Sequence, residues 1–168
     1  MTTLFAQPYD ICAAGFYFKS NDEFTAKATA ATNDYGDPVE EFEIQFIDGA
    51  DIDCELARAW GLDQSTFSAF FEAVANWDDH QKLSFIIAVG ECGYQFDPGR
   101  DDPERFEVDI YHVDSLKELA EQFVDEGLFG DIPEHLRNYL DYDAIARDLA
   151  CDYASTTIAG NRLAYRCA

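Results

Sequence analysis

Asp114, Glu118, Glu121 and Asp125 step along the chain by four, three and four residues, the spacing that places side chains on one face of an α-helix. At about 1.5 Å rise per residue, neighbours in that row stand roughly 4.5–6 Å apart along the axis. Asp141, Asp148 and Asp152 repeat the idea at steps of seven and four. Two denser groups accompany them: Glu40, Glu41, Glu43, Asp48, Asp51 and Asp53, and Asp101, Asp102, Glu104, Glu107 and Asp109. Phosphate backbones and anionic membranes need cationic side chains, so these residues oppose binding of nucleic acid or membrane. They suit a basic protein surface, and a carboxylate row on a rigid scaffold resembles a phosphate track. A face that serves only solvation looks the same, and salt-adapted proteins carry such faces. On the residues alone both readings stay open.

Paired carboxylates could also hydrolyse a glycosidic bond as acid and nucleophile. With 34 acids, however, pairs arise by chance, and the chain has no GxSxG, P-loop or GxGxxG motif. No catalytic residue and no enzyme activity is predicted. His80, His112 and His135 are scattered without ligand-spaced neighbours, and Asp97–Asp102 departs from the calcium-loop template. No metal and no cofactor is expected.

The elements that position these acids must fold against their own charge. The chain carries 34 acidic and 11 basic residues, net −23 in 168 residues, yet 48% of it is hydrophobic and 15% aromatic. Self-repulsion opposes compaction, while the apolar content separates the chain from disordered acidic tails. The acids are concentrated: eight in residues 40–63, six in 97–111, and eleven in 114–152 against three bases. A net −23 equals the backbone charge of roughly 40 Å of duplex DNA. The five cysteines are dispersed, odd in number and lack a CxxC pair, which reads as buried free thiols in a reducing cytoplasm. The absence of a secretory pattern at the N-terminus and of any long apolar run leads to an expected cytoplasmic location.

Hydrophobic periodicity predicts an α+β fold. Strands are expected at Ile11–Phe18, Glu41–Ile47 and Arg105–Tyr111, the second with Phe42, Ile44 and Phe46 on one face. Helices are expected at Ser20–Ala31 with Ser20 capping, at Asp51–Trp60 stopped by Gly61, and from a cap at Asp63 through Trp77. Lys82–Val89 is ambiguous and is assigned to helix. Ser115–Glu126 buries Leu116, Leu119, Ala120, Phe123 and Val124, and Ser115 with Glu118 has the form of a capping box. Helical segments at Pro133–Leu140 and Tyr142–Cys151 follow. Tyr153–Ile158 and Arg162–Cys167 close the chain as a hairpin turned at Gly160 and Asn161. These elements divide into an N-terminal α+β piece at 1–61, a helical middle at 62–103 and a C-terminal α+β piece at 104–168.

The strand Glu40–Gly49 and the segment Ile132–Leu149 resemble the ArdA antirestriction family. Its members share an acidic strand ending in an Asp/Gly turn and a late Tyr/Phe-Asp-Tyr-x-Ala-x-Ala-Arg-Asp-Leu block, which Tyr139–Leu149 matches. The resemblance runs from about Glu40 to the C-terminus. It implies an elongated fold of small subdomains in series and a homodimeric, acidic DNA mimic carried by mobile genetic elements. The implied partner is the basic DNA-binding groove of a type I restriction–modification enzyme. The acids named above are then the partner-binding surface. Arg137 and Arg147 are expected to make ion pairs that orient helices, with a plain surface charge the equal alternative for Arg147. The alternative is an acidic module for another basic partner, such as a chaperone or a different DNA-binding protein.

Overall fold

Alternation of side chains across a strand builds the first sheet. In the computed structural model, which describes residues 1–97 and 105–167, β3 (Phe42–Asp48) buries Phe42 and Ile44 and exposes Glu43 and Gln45. It pairs antiparallel with β1 (Thr3–Pro8), which in turn pairs with β2 (Phe16–Phe18), giving the order β2-β1-β3. The strand expected at Ile11–Phe18 is therefore reduced to three residues, and the central strand β1 was not anticipated. β1 is stabilised by partners on both sides, Leu4 opposite Phe18 and Phe46, which no local pattern in residues 3–8 reports.

Helices close the inner face of that sheet. Ser20 accepts a hydrogen bond from the Glu23 N–H and opens α1 (Asn21–Ala30), as expected of a capping serine. α2 (Asp51–Trp60) ends where Gly61 turns left-handed at φ 65°, a conformation that favours glycine. Asp63 accepts from the backbone N–H groups of Ser65 and Thr66 and so shapes the turn leading into α3 (Phe67–Asn76). A capping box of Asp78 and Gln81 starts α4 (Asp79–Phe85), which continues as a π-helical segment, Ile86–Glu91. The helical assignment of Lys82–Val89 is thus correct.

Aromatic rings hold this region together. Phe18, Phe24 and Phe67 meet at centroid separations of 4.5–5.2 Å, and Trp60 lies 5.0 Å from Phe85 and 5.6 Å from Trp77. Phe18, Phe24, Phe42, Phe67, Phe70 and Phe85 thereby become core, each ring pair adding about 0.5–1.5 kcal/mol beyond its buried area.

The last third makes a second sheet of order β4-β6-β5, all antiparallel, from β4 (Val108–Tyr111), β5 (Ala154–Ile158) and β6 (Asn161–Cys167). The hairpin turns one residue earlier than predicted, at Ala159 and Gly160 with φ 49° and 79°, because a two-residue turn that matches strand twist needs both central residues at positive φ. Between β4 and β5 lie α5 (Leu116–Asp125), a short α6 (Glu134–Arg137) and α7 (Tyr142–Leu149). Val113, Leu119, Phe123, Tyr153 and Ala164 form the core, with Tyr111, Leu116 and Leu149 packed against it.

Seven α-helices and two three-stranded antiparallel sheets among the described residues make the fold α+β, as predicted. The chain forms two compact units, Met1–Arg105 and Phe106–Ala168. The first spans both the N-terminal and middle pieces expected from sequence, and Phe18 and Phe24 meet Phe67 inside it. Cys12, Cys54 and Cys151 are free thiols as expected, but not buried ones: Cys12 and Cys54 are half-buried and Cys151 is exposed. That expectation fails at Cys92 and Cys167, which are disulfide-bonded; a disulfide is set by through-space approach, which spacing along the chain does not report.

Candidate partner-binding acidic surface

The row that begins at Asp114 is built as the spacing predicted. Leu119, Ala120, Phe123 and Val124 are buried, and Asp114, Glu118, Glu121 and Asp125 are all exposed. Ser115 accepts from the Glu118 N–H at 3.2 Å, while the Glu118 carboxylate reaches back to the Asp114 N–H at 2.7 Å. The capping box therefore closes one residue before the cap. This ties Glu118 to the helix start, where a negative charge also meets the positive end of the helix dipole. Asp125 pairs with Arg137, so Arg137 orients α6 against α5 as expected. Arg147 is exposed and makes no ion pair among the described residues.

On α7, Asp141 caps the helix by accepting from the Ala144 N–H at 2.9 Å. Asp148 and Asp152 are exposed. Lys117 bridges to Asp143 at 3.1 Å, joining α5 to α7. On the second sheet, Asp109 is half-buried beneath Arg166, which donates from both Nε and a terminal nitrogen at 3.0 and 2.6 Å. That guanidinium also lies 5.2 Å over the Tyr153 ring. The hydrogen bond to Asp109 is the first cause holding the Arg166 pKa above its ordinary value. Glu107 is exposed.

In the first unit, Glu40, Glu41, Glu43, Asp48 and Asp51 are exposed and make no ion pair among the described residues. Gln64 fastens this strand by its main chain, donating to the Glu40 carbonyl and accepting from the Phe42 N–H, both at 2.9 Å. Asp53 is the exception. It is 6% exposed, and its carboxylate meets the Lys82 ammonium at 2.7 Å inside the packing of α2 on α4. Its assignment to the partner surface is corrected, because the i, i+3 period carries Asp53 to the inner face of α2 beside Leu56 and Ala57. Asp101, Asp102 and Glu104 lie outside the described residues.

Among the described candidate acids, ion pairs therefore reach only Asp53, Asp109 and Asp125. The others keep their charge turned to solvent on capped helices and a paired strand. Sequence reasoning missed Asp143, Glu126 and Glu134, which are exposed on the same stretch; they fall between the regular steps that defined the rows. Among the described residues no group of three or more His, Cys, Asp or Glu is placed to hold a metal ion. No helix of the described residues is long and apolar enough to cross a membrane.

The family model for antirestriction protein (ArdA) matches residues 21–161. The chain belongs to the ArdA antirestriction family. The match begins nearer the N-terminus than the resemblance at Glu40, so α1, β3 and the helices around Trp60 fall inside it together with the α5 row. No curated protein matches the chain. ArdA membership implies an antirestriction role.

Proposed function

We propose that this chain blocks type I restriction–modification enzymes by presenting carboxylates in place of duplex phosphates to their basic DNA-binding groove. It thereby protects incoming DNA of mobile elements, without catalysis and without binding nucleic acid itself. The observation that carries the reading is the α5 row: Asp114, Glu118, Glu121 and Asp125 are exposed along one face, opposite the buried Leu119, Ala120, Phe123 and Val124. A capped helix holds those charges without the entropy loss that ordering a flexible acidic tail would cost on binding.

The physics of such a complex is distributed. Backbone-like contacts carry no base information, so inhibition is indifferent to the recognition sequence of the enzyme. Oppositely charged surfaces steer encounter, and the association weakens with salt. A homodimer doubles the charge offered to one groove. The exposed Leu128, Phe129 and Leu136, before the family block, and Tyr139, at its start, support self-association through the second unit.

Competition against duplex DNA for a purified type I methyltransferase tests the proposal. At low salt the chain should displace the DNA, and the displacement should fade as salt rises. Failure to displace at low salt, with binding retained to another basic protein, would turn the reading towards a different cationic partner.

A further inference from the structure

The outer face of the first sheet carries a feature that phosphate mimicry does not require. Phe5 on β1 stands opposite Tyr17 on β2, and their rings lie 4.8 Å apart on the face turned away from the core. Tyr17 is 57% exposed, and Tyr9, one residue beyond the end of β1, is 67% exposed. Across β1, Gln7 pairs with Glu43 and Phe5 with Gln45. The Tyr9 N–H continues the ladder to the Glu41 carbonyl. Glu43 is thus the diagonal neighbour of Phe5, roughly 7–8 Å away and within reach of one long side chain.

The aromatic pair is held rather than loose. A Cβ at Gly15 would stand 2.4 Å from the Phe5 ring and 2.6 Å from the Ala6 carbonyl oxygen, so the ring occupies space that only glycine leaves. The neighbouring cation is already taken: Lys27 pairs with Glu23 at 2.6 Å and donates to the Tyr17 carbonyl oxygen at 2.7 Å. The face therefore offers ring surface with the exposed Glu43 diagonal to it and Glu41 further along the same strand, neither in an ion pair among the described residues.

We propose that Phe5 and Tyr17, with Glu43 diagonal to Phe5 and Glu41 further along β3 opposite Tyr9, dock an arginine side chain and its cationic flank from a segment of the partner protein. Guanidinium is planar and weakly hydrated; it stacks on aromatic faces and pairs with carboxylates, which ammonium does less well. The chain holds one of its own arginines this way, with Arg166 over Tyr153 and bonded to Asp109. Charge argues against a second copy as the occupant, since it would bring the same Glu41 and Glu43 to the contact. Residues 1–20, with both rings, lie outside the stretch matched by the family. The identity of the partner rests on the function proposed above; the chemistry of the docked group does not.

The test uses the full chain and two variants, Phe5→Thr with Tyr17→Thr, and Glu41→Gln with Glu43→Gln. Folding is checked by circular dichroism, and Tyr17→Thr alone serves if the double aromatic variant is unstable. Against the methyltransferase, each lost ring should weaken binding about twofold to fivefold with the salt dependence unchanged. The carboxylate variant should weaken binding and flatten the salt dependence. In a second arm, the intact chain should bind octa-arginine more tightly than octa-lysine in calorimetry, and the aromatic variant should lose that preference.

An aromatic variant that binds both probes like the intact chain overturns the proposal. So does a preference for arginine that survives loss of the rings, or a change from dimer to monomer on losing them. If the intact chain ignores the methyltransferase yet shows a ring-dependent preference for arginine, the docking chemistry stands and the proposed enzyme target falls.

Discussion

Helices α2 and α5 look alike in sequence: each has ten residues, an apolar stripe and several acids. In α2, Asp51 faces solvent, but Asp53 turns inward to Lys82, with both side chains 8% exposed. In α5, every carboxylate stays outside and the inner face is wholly apolar. The same residue type thus does opposite work in the two units. Asp53 fixes how α2 sits on α4, because a buried charge tolerates only the arrangement that keeps its partner in place. The α5 acids hold no buried partner: Glu118 closes the helix start and Asp125 pairs with Arg137 at the surface, while Glu121 makes no ion pair among the described residues. Counting carboxylates therefore overstates the binding surface; exposure and pairing decide which ones belong to it.

The largest expected effect breaks the buried pair. Asp53→Ala should cost about 3–5 kcal/mol, since it strands the Lys82 ammonium in the core. Chemical denaturation followed through Trp60 and Trp77 would measure it. Replacing both partners, Asp53→Leu with Lys82→Met, should recover most of that loss, because apolar residues of similar volume are often at least neutral in place of a buried ion pair.

Next comes the start of α5. Ser115→Ala removes the side chain that accepts from the Glu118 N–H and should cost about 1 kcal/mol. Hydrogen exchange should show the loss concentrated in the first turn of that helix. An equal loss of protection in α2 would contradict the separation of the two units.

Acid and alkali should then distinguish the units. In the first, hydrogen bonds from Asn33 and Cys12 hold Asp10 below the ordinary carboxylate range, and Lys27 does so for Glu23. Burial pushes Asp63 up, but Ser65 and Thr66 outweigh it, and its pKa is also lowered. Carboxylates with lowered folded values contribute stability above their unfolded pKa of about 4 and lose it as pH falls through the folded values. In the second unit, burial raises the Tyr111 pKa, so its contribution is present below about pH 10 and is lost as pH rises through the folded value. Amide spectra recorded across pH should show the surroundings of Asp10, Glu23 and Asp63 loosening in acid and those of Tyr111 loosening in alkali.

The smallest stability effect belongs to the exposed acids proposed to meet the partner. Glu121→Gln, or Asp148→Asn, should change unfolding free energy by no more than about 0.5 kcal/mol. Each should still weaken partner binding by about fivefold or less.

Much of this was legible from residue order. The stripe and acid row of α5, the cap at Ser20, the stop at Gly61 and the alternation of β3 all follow from local rules of period and capping. What was missed depends on partners distant in sequence. β1 exists because β2 and β3 flank it, and Asp53 is inside because Lys82 waits 29 residues away. The acids were visible at once, whereas their division into internal and external ones needed the packing.

The central claim is that binding is shared among exposed carboxylates. Its most direct test is the salt dependence of methyltransferase binding as Glu43, Asp48, Glu118, Glu121 and Asp148 are neutralised cumulatively. Affinity at low salt should fall gradually, and the plot of log affinity against log salt should become shallower at each step. A single substitution that abolishes binding, or a slope unchanged after all five, would contradict it.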